Sequence, residues 1–443
     1  MSYKINKMGW LLLVCAGLLF FSCASNHYQA VDELVGDGDY ASSAALVEKN
    51  RKSIYRDKDA ILYYLDRGML THYATDYDTS IPLLRDGERA IEAAYTKSIT
   101  QAIGSYILND TTVEYGGEDY EDIYINVFNA LNYYHQNKLE DALVEIRQMN
   151  NKLSFLSTKY GELTTSLQQQ ALADGTQIPP NPDAVTQFSD SALARYLGML
   201  FYRGIGEADD ARIDSEMLKV AFANAPHVYS YPLPSSLAGD EELAIPQGKA
   251  RLNVIGFSGL SPIKQEQTLR IPLLVSYNYI KIALPEMLSR RSLVSRIQVE
   301  VKGGPRFDLE LLEDIDAVAK ETFKQKQNLI YMKSIIRATM KGVSAATLDV
   351  LARESDDAST GLLLGVLSLG TQVFAEASEQ ADLRISRYFP AKALAGGVNL
   401  DPGVYDLKIN YYSANGHLIA SFNKEQVPVL ENKLNLVEVV CLK

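Results

Sequence analysis

Leu65-Asp66-Arg67-Gly68-Met69-Leu70, then Tyr73, then Asp76-Tyr77-Asp78-Thr79-Ser80 and Leu84, is the stretch that decides the first half of this chain. It reads as a helix, a short polar turn and a second helix. Gly68 withholds a side chain where two helices must approach closely, and a second small residue, Ser80, lies twelve positions on. The pattern returns twice. Asn129-Ala130-Leu131-Asn132-Tyr133-Tyr134 leads into Lys138-Leu139-Glu140-Asp141-Ala142 and Ile146. Tyr196-Leu197-Gly198-Met199-Leu200-Phe201 leads into Ala208-Asp209-Asp210-Ala211 and, later, Pro226. An earlier pair, Asp32 to Asn50 around Gly38-Asp39-Tyr40, opens the series. The chain from about residue 27 to 230 is therefore expected to be helical.

These units resemble the tetratricopeptide helix pair, whose period is about 34 residues. Gly68 to Ala130 is 62 residues and Ala130 to Gly198 is 68, near twice that period, so the array is degenerate or interrupted. A generic helical bundle is the alternative. Two insertions break the array: the turn-rich Asn109–Asp122, and Asp174–Asp183, where Pro179, Pro180 and Pro182 exclude a helix. Tyr229–Asp240, with Pro232 and Pro234, reads as a linker. Beyond it the period changes to two. Strands are expected over 250–257, 268–274, 279–284, 297–301 and 307–311, the last two flanking Gly303-Gly304-Pro305, a hairpin signal. Glu313 to about Met340 returns to a helix, and a second helical stretch runs from about Gly361 to Gln380. Strands resume over 403–409 and 434–440, with a tight turn at Asn415-Gly416. The expected fold class is α+β: a tetratricopeptide-like helical array over 23–230, then a β-rich unit over 231–443 with an inserted helical hairpin at about 313–380.

Residues 1–22 have the form of a signal segment. Lys4 and Lys7 supply the charge, and Trp10 to Phe21 an apolar stretch too short for a good membrane span. The run Phe20-Phe21-Ser22-Cys23-Ala24 resembles the lipobox of bacterial lipoproteins, with Phe20 where Leu is usual. The resemblance implies that Cys23 is acylated and becomes the new N-terminus, and Ala24, in place of Asp, points to the outer membrane. An ordinary cleaved signal is the alternative. Of the three cysteines Cys15 leaves with the signal, Cys23 takes lipid and Cys441 stands alone, so no disulfide framework is expected.

The composition is that of a globular protein, 47% apolar and 22% charged, with a formal charge of −12. That acidity argues against a nucleic-acid partner. The five histidines are scattered without a zinc-type pair. Asp37-Gly38-Asp39 and Gly116–Asp122 lack full calcium-loop spacing, and capping of helix N-termini explains them more simply. Gly256-Phe257-Ser258-Gly259 is not a nucleophile elbow but a strand end before a turn. Gly361 to Ala375 is an apolar run with close-approach glycines, read as a buried helix, with an oligomer interface or a membrane-dipping hairpin as alternatives.

Four segments carry a wider resemblance: Tyr115–Glu121 leading into Ala130–Tyr133 and Ala142–Arg147; Gly259–Lys264; Leu312–Ala317; and Gln380–Arg387. Their order is similar to that of a family of uncharacterised bacterial lipoproteins with tetratricopeptide-like N-terminal regions. The resemblance implies an envelope role and no known catalytic residue. The expectation is a non-enzymatic, lipid-anchored protein of the outer membrane, facing the periplasm. It would scaffold envelope or secretion proteins, neighbouring lipoproteins among them, without cofactor or metal. An accessory activator or enzyme of cell-wall remodelling is the alternative. Tyr73, Tyr133, Tyr134 and Tyr202 are the expected partner-binding residues, on the concave side of the helix pairs; half or more of these tyrosines are expected to fill helix–helix seams instead.

Overall fold

The computed structural model describes residues 23–100, 110–156, 158–173, 186–272, 279–354 and 380–443. The signal segment, the proline-rich insertion and the Gly361–Ala375 run lie outside the described residues. The fold is mixed α+β, helical in its N-terminal half and built of sheets towards its C-terminus. No described helix is long and apolar enough to cross a membrane.

Helices α1 (Cys23–Asp37) and α2 (Tyr40–Lys49), α3 (Ala60–Tyr73) and α4 (Tyr77–Thr100), α5 (Asp119–His135) and α6 (Leu139–Leu156), and α8 (Ala192–Ile205) and α9 (Ala208–Asn224) pack as successive pairs, with α7 (Gly161–Ala173) after the third. Each pair turns in the same way. The residue at the turn is left-handed: Gly38, Thr75, Asn137 and Gly206 have φ of 80°, 63°, 59° and 87°. The next backbone N–H donates to the carbonyl five residues earlier, Asp39 to Leu34, Asp76 to Thr71, Lys138 to Tyr133 and Glu207 to Tyr202, each at 2.9 Å. This is the Schellman helix stop, used four times.

The small residues sit where they were expected. A Cβ on Gly68 would lie 2.7 Å from Leu84 Cδ2, and one on Gly198 would lie 2.2 Å from Asp214 Oδ2. Ser80 Oγ donates to the Gly68 carbonyl at 2.8 Å, so the polar small residue also ties its pair together. Both acidic runs act as caps. Asp39 Oδ1 accepts from Ser42 N at the start of α2, and Glu121 Oε2 accepts from Glu118 N at the start of α5.

Among the described residues the strands form two four-stranded sheets and a ribbon. In the first sheet the order is β10 (Asn435–Cys441), β1 (Ala250–Leu260), β7 (Pro390–Leu400) and β6 (Glu310–Asp314), with β10 parallel to β1 and the rest antiparallel. The second runs β5 (Arg306–Asp308), β4 (Arg296–Val301), β8 (Gly403–Tyr412) and β9 (Leu418–Val429), all antiparallel. The hairpin signals hold: Gly303 and Gly416 take positive φ at the β4–β5 and β8–β9 turns. Strand β1 runs on past Gly256–Gly259 to Leu260, so the turn comes later than expected. The ribbon pairs β2 (Ile263–Pro272) with β3 (Tyr279–Leu288), and α10 (Ile315–Glu354) packs along it.

The layers follow from the two faces of β1. Leu252 and Val254 join Ile297, Val299, Ile409 and Val439 in a core between the sheets. Ile255 and Phe257 point the other way, into a larger core shared with Leu65, Phe128, Leu197 and Phe389. The helices thus cover one face of the first sheet and the second sheet covers its other face. Tyr229–Asp240 is packed rather than loose: Tyr229 and Leu237 are buried, and a short helix spans Ser235–Ala238.

Candidate functional site

Because the first sheet is packed between the helices and the second sheet, its buried polar residues must find partners inside the protein. Three buried networks do this. In the first, Arg251 grips Glu242 through Nη2 (2.8 Å) and Nε (3.2 Å), while Asn253 Nδ2 donates to Glu242 Oε2 at 2.6 Å and to the Tyr196 hydroxyl at 3.2 Å. In the second, Glu313 on β6 accepts from Tyr124 (2.5 Å), Tyr229 (2.7 Å), Ser191 Oγ (2.8 Å) and the backbone N–H of Leu193 (3.2 Å). No cation touches it among these partners, and burial pushes its carboxyl up despite the four donors. In the third, Glu438 on β10 lies between His72 Nε2 (2.7 Å) and His135 Nε2 (2.8 Å). Burial alone would raise the Glu438 carboxyl, but the two histidines hold it far below the usual range; in return Glu438 outweighs burial and raises His72.

Residues 380–389 form an extended strap over the helix pairs. Asp66 Oδ1 accepts from Ser386 Oγ and Arg387 N, both at 2.8 Å, and its Oδ2 accepts from Tyr55. Glu121 Oε1 accepts from Ser386 N at 2.6 Å, and Tyr115 donates to its Oε2 at 2.8 Å. Burial pushes Asp66 up to about 6 and, with the Glu118 charge, Glu121 up to about 7. Arg384 bridges Asp382 (2.8 Å) and Asp59 (3.0 Å), and Arg387 reaches Asp32 on α1.

The four singled-out tyrosines divide evenly. The Tyr73 hydroxyl donates to the Tyr388 carbonyl at 3.0 Å, and the ring packs on Tyr40 and Phe128. Tyr134 donates to the Leu436 carbonyl (2.8 Å) and accepts from Leu436 N (3.0 Å). Both therefore join the helices to the chain's own C-terminal segments, a contact that a search for helix–helix seams or ligand grooves does not foresee. Tyr133 and Tyr202 are half-buried at the edge of the larger core. Lys138 stands over the Tyr133 ring, and Arg147 Nε donates to the Tyr202 hydroxyl at 3.2 Å. The Cys23 backbone begins α1, which is held to the body by buried Val31 and Val35.

One cleft, of about 430 Å³, opens between α4, the segment 110–118, the start of α7 and α10. Among the described residues Lys97, Lys159, Lys264, Lys326 and Lys333 line it. Lys264 and Lys326 share a single carboxylate oxygen, Glu118 Oε1, at 2.5 and 2.9 Å. Lys159 pairs with Asp119 at 2.6 Å and sits over the rings of Tyr95 and Tyr160. Burial works against the charges of Lys159 and Lys326, but Asp119 and Glu118 outweigh it, so both ammonium groups are held above their ordinary value. Spacing in the sequence could not gather this set, because its members come from α4, the start of α5, the turn before α7, α10 and β2. Among the described residues no group of three metal-ligating side chains is placed to hold an ion. Compared with protein-family models, with curated proteins and with solved structures, the chain matches none.

Proposed function

We propose that this protein is a non-enzymatic, lipid-anchored scaffold of the bacterial envelope, attached through Cys23 to the outer membrane and facing the periplasm. Its N-terminal half is read as a tetratricopeptide-like array, in keeping with the lipoprotein family it resembles. The observation that supports this reading is the same helix stop at four successive helix pairs, at Gly38, Thr75, Asn137 and Gly206. Such arrays offer broad surfaces for protein partners. The chain's own strap and sheet fill the side of the pairs that carries Tyr73 and Tyr134, so the partner surface is the outer side, around Tyr133 and Tyr202. Lys159 and Lys326 held protonated, and carboxylates held in ion pairs, favour binding over acid–base chemistry in the cleft, which weighs against a cell-wall enzyme.

The test is a photo-crosslinking amino acid placed at Tyr133 or Tyr202 in the cell, with and without Cys23→Ser. The expected result is adducts with envelope proteins from the anchored form and their loss when Cys23 is replaced. Unchanged membrane attachment of the Cys23→Ser chain overturns the anchor, and absence of adducts from both positions overturns the scaffold surface.

A further inference from the structure

The stretch Lys49-Asn50-Arg51-Lys52-Ser53-Ile54-Tyr55-Arg56-Asp57-Lys58 carries five cations and one acid, in a chain whose net charge is −12. It sits beside the start of α1. Helix α2 returns along α1 from the turn at Gly38, and the short helix Arg51–Ile54 that follows packs against α1. A run of rings fixes the place. Arg51 stands over Tyr63 at 4.0 Å, Tyr63 meets Tyr55 at 5.8 Å, and Tyr55 meets Tyr28 at 5.9 Å. Tyr28 follows Cys23 by five residues, about 7.5 Å along the helix axis. The nearby acids are mostly taken. Glu48 pairs with Arg67 at 2.8 Å, Asp59 is shared by Arg56 (2.7 Å) and Arg384 (3.0 Å), and Asp32 pairs with Arg387. Lys58 is drawn inward to the Thr111 carbonyl. Lys49, Arg51 and Lys52 are exposed and stand in no ion pair among the described residues, against one exposed acid of the stretch, Asp57. The exposed acids Glu33, Asp37 and Asp39 lie towards the turn, about 15 Å or more along the axis from Cys23. The α1–α2 pair is thus positive at the end that holds Cys23 and negative at its turn.

We propose that Lys49, Arg51 and Lys52 dock on the anionic phospholipid headgroups of the leaflet that holds Cys23, and so stand the α1–α2 pair with its Gly38 turn pointing away from the bilayer. This rests on the reading of Cys23 as the anchor. Acyl chains at Cys23 bring the three cations to headgroup level, within a surface potential that fades over about 8 Å. A basic patch beside an acyl anchor gives a second hold on the membrane. The rest of the chain is acidic and is repelled by the same surface, so the patch selects which side of the protein faces lipid.

The test uses the full mature chain, starting at Cys23, with the Cys23 thiol coupled to a maleimide phospholipid in vesicles; Cys441 is buried and does not compete. Trp10 is the one tryptophan and precedes Cys23, so a tryptophan placed in the mature chain reports alone. Ser53→Trp reports from the patch and Ala41→Trp from beside the turn, both at exposed positions. A nitroxide on the lipid headgroup quenches whichever lies at the surface. With about one-quarter phosphatidylglycerol in phosphatidylcholine, Ser53→Trp should be quenched about twofold more than in phosphatidylcholine alone, and the difference should vanish in about 0.5 M salt. Ala41→Trp should be quenched little, and equally in both. Lys49→Gln, Arg51→Gln and Lys52→Gln together should abolish the difference; melting curves check that this variant is folded, and the salt dependence decides if it is not. Equal quenching of Ser53→Trp in the two kinds of vesicle, Ala41→Trp quenched as strongly as Ser53→Trp, or a difference that survives salt or the folded triple variant overturns the docking. The chemical tether keeps these outcomes apart from the anchor, which is read as the acyl mass on the N-terminal peptide of the native protein. A bare Cys23 there overturns the anchor and the docking with it.

Discussion

Thr75 is the β-branched residue among the non-glycine positions that take a positive φ. A β-branched side chain at φ 63° is strained, because a left-handed backbone brings Cβ against the following carbonyl. Its turn holds through the Asp76–Thr71 hydrogen bond and the packing of α3 on α4. Thr75→Gly should therefore raise stability by up to about 1 kcal/mol, the relieved strain less the entropy of a glycine, as read from urea denaturation. An unchanged or lower midpoint would mean that the turn is not strained. Glu313 makes a sharper case. Tyr124→Phe removes one hydroxyl from a buried carboxylate and should cost about 1.5–3 kcal/mol. Tyr229→Phe should cost more, because the Tyr229 hydroxyl also accepts from Ala192 N at the start of α8. Equal losses would show that the Ala192 bond adds nothing. Neither role could be read from the sequence, where Glu313 falls at an expected helix start and Tyr229 in an expected linker; Glu313 and its partners lie 84 or more residues apart, and Tyr229 and Ala192 lie 37 apart.

Among the elements, helix pairs were legible and β7 was not. Gly68, Ala130 and Gly198 carry a pattern local enough to see, whereas Pro390-Ala391-Lys392-Ala393-Leu394-Ala395-Gly396-Gly397 has none of the β-branched residues that mark a strand. Its small residues are explained by its place inside the sheet. A Cβ on Gly397 would lie 2.7 Å from the Leu252 carbonyl oxygen, and one on Gly396 3.0 Å from Leu309. Gly397→Ala should therefore cost about 1–3 kcal/mol or more, since backbone cannot move aside as a side chain can; a melting temperature equal to wild type would contradict this packing. Strand β10 carries a pH dependence. The lowered carboxyl of Glu438 stabilises fully above the ordinary carboxylate range and is lost in acid. The raised imidazole of His72 stabilises fully below about pH 6.5 and is lost as pH rises through its raised value. The contact is thus strongest between about pH 4.5 and 6.5. From about pH 6 to 9 the wild-type midpoint should fall further than that of Glu438→Gln, and parallel curves would remove His72 from the account.

At the scale of the whole molecule, the larger core runs from Val31 to Leu442 and includes both helices and sheet. The alternation Arg251-Leu252-Asn253-Val254 suggests a strand with one wet face; in fact both faces are buried, and on the polar one Asn253 meets Tyr196 of α8. A segment 23–230 made alone would expose Tyr73, Phe128 and Tyr134 to water, and it should bind a hydrophobic dye and lack a fixed near-ultraviolet signal. Cooperative melting of that segment would show that the helices need no sheet. The parallel pairing of β10 with β1 has a consequence in time. His72 waits for Glu438, 366 residues later, and Tyr134 for Leu436. A chain emerging from its N-terminus has nothing to pair with that side of β1 until β10 is free. Contacts of such long range make for slow completion, so a newly made chain holds its first sheet open until β10 leaves the ribosome, and a ribosome that stalls before β10 leaves behind helices and strands that cannot finish folding.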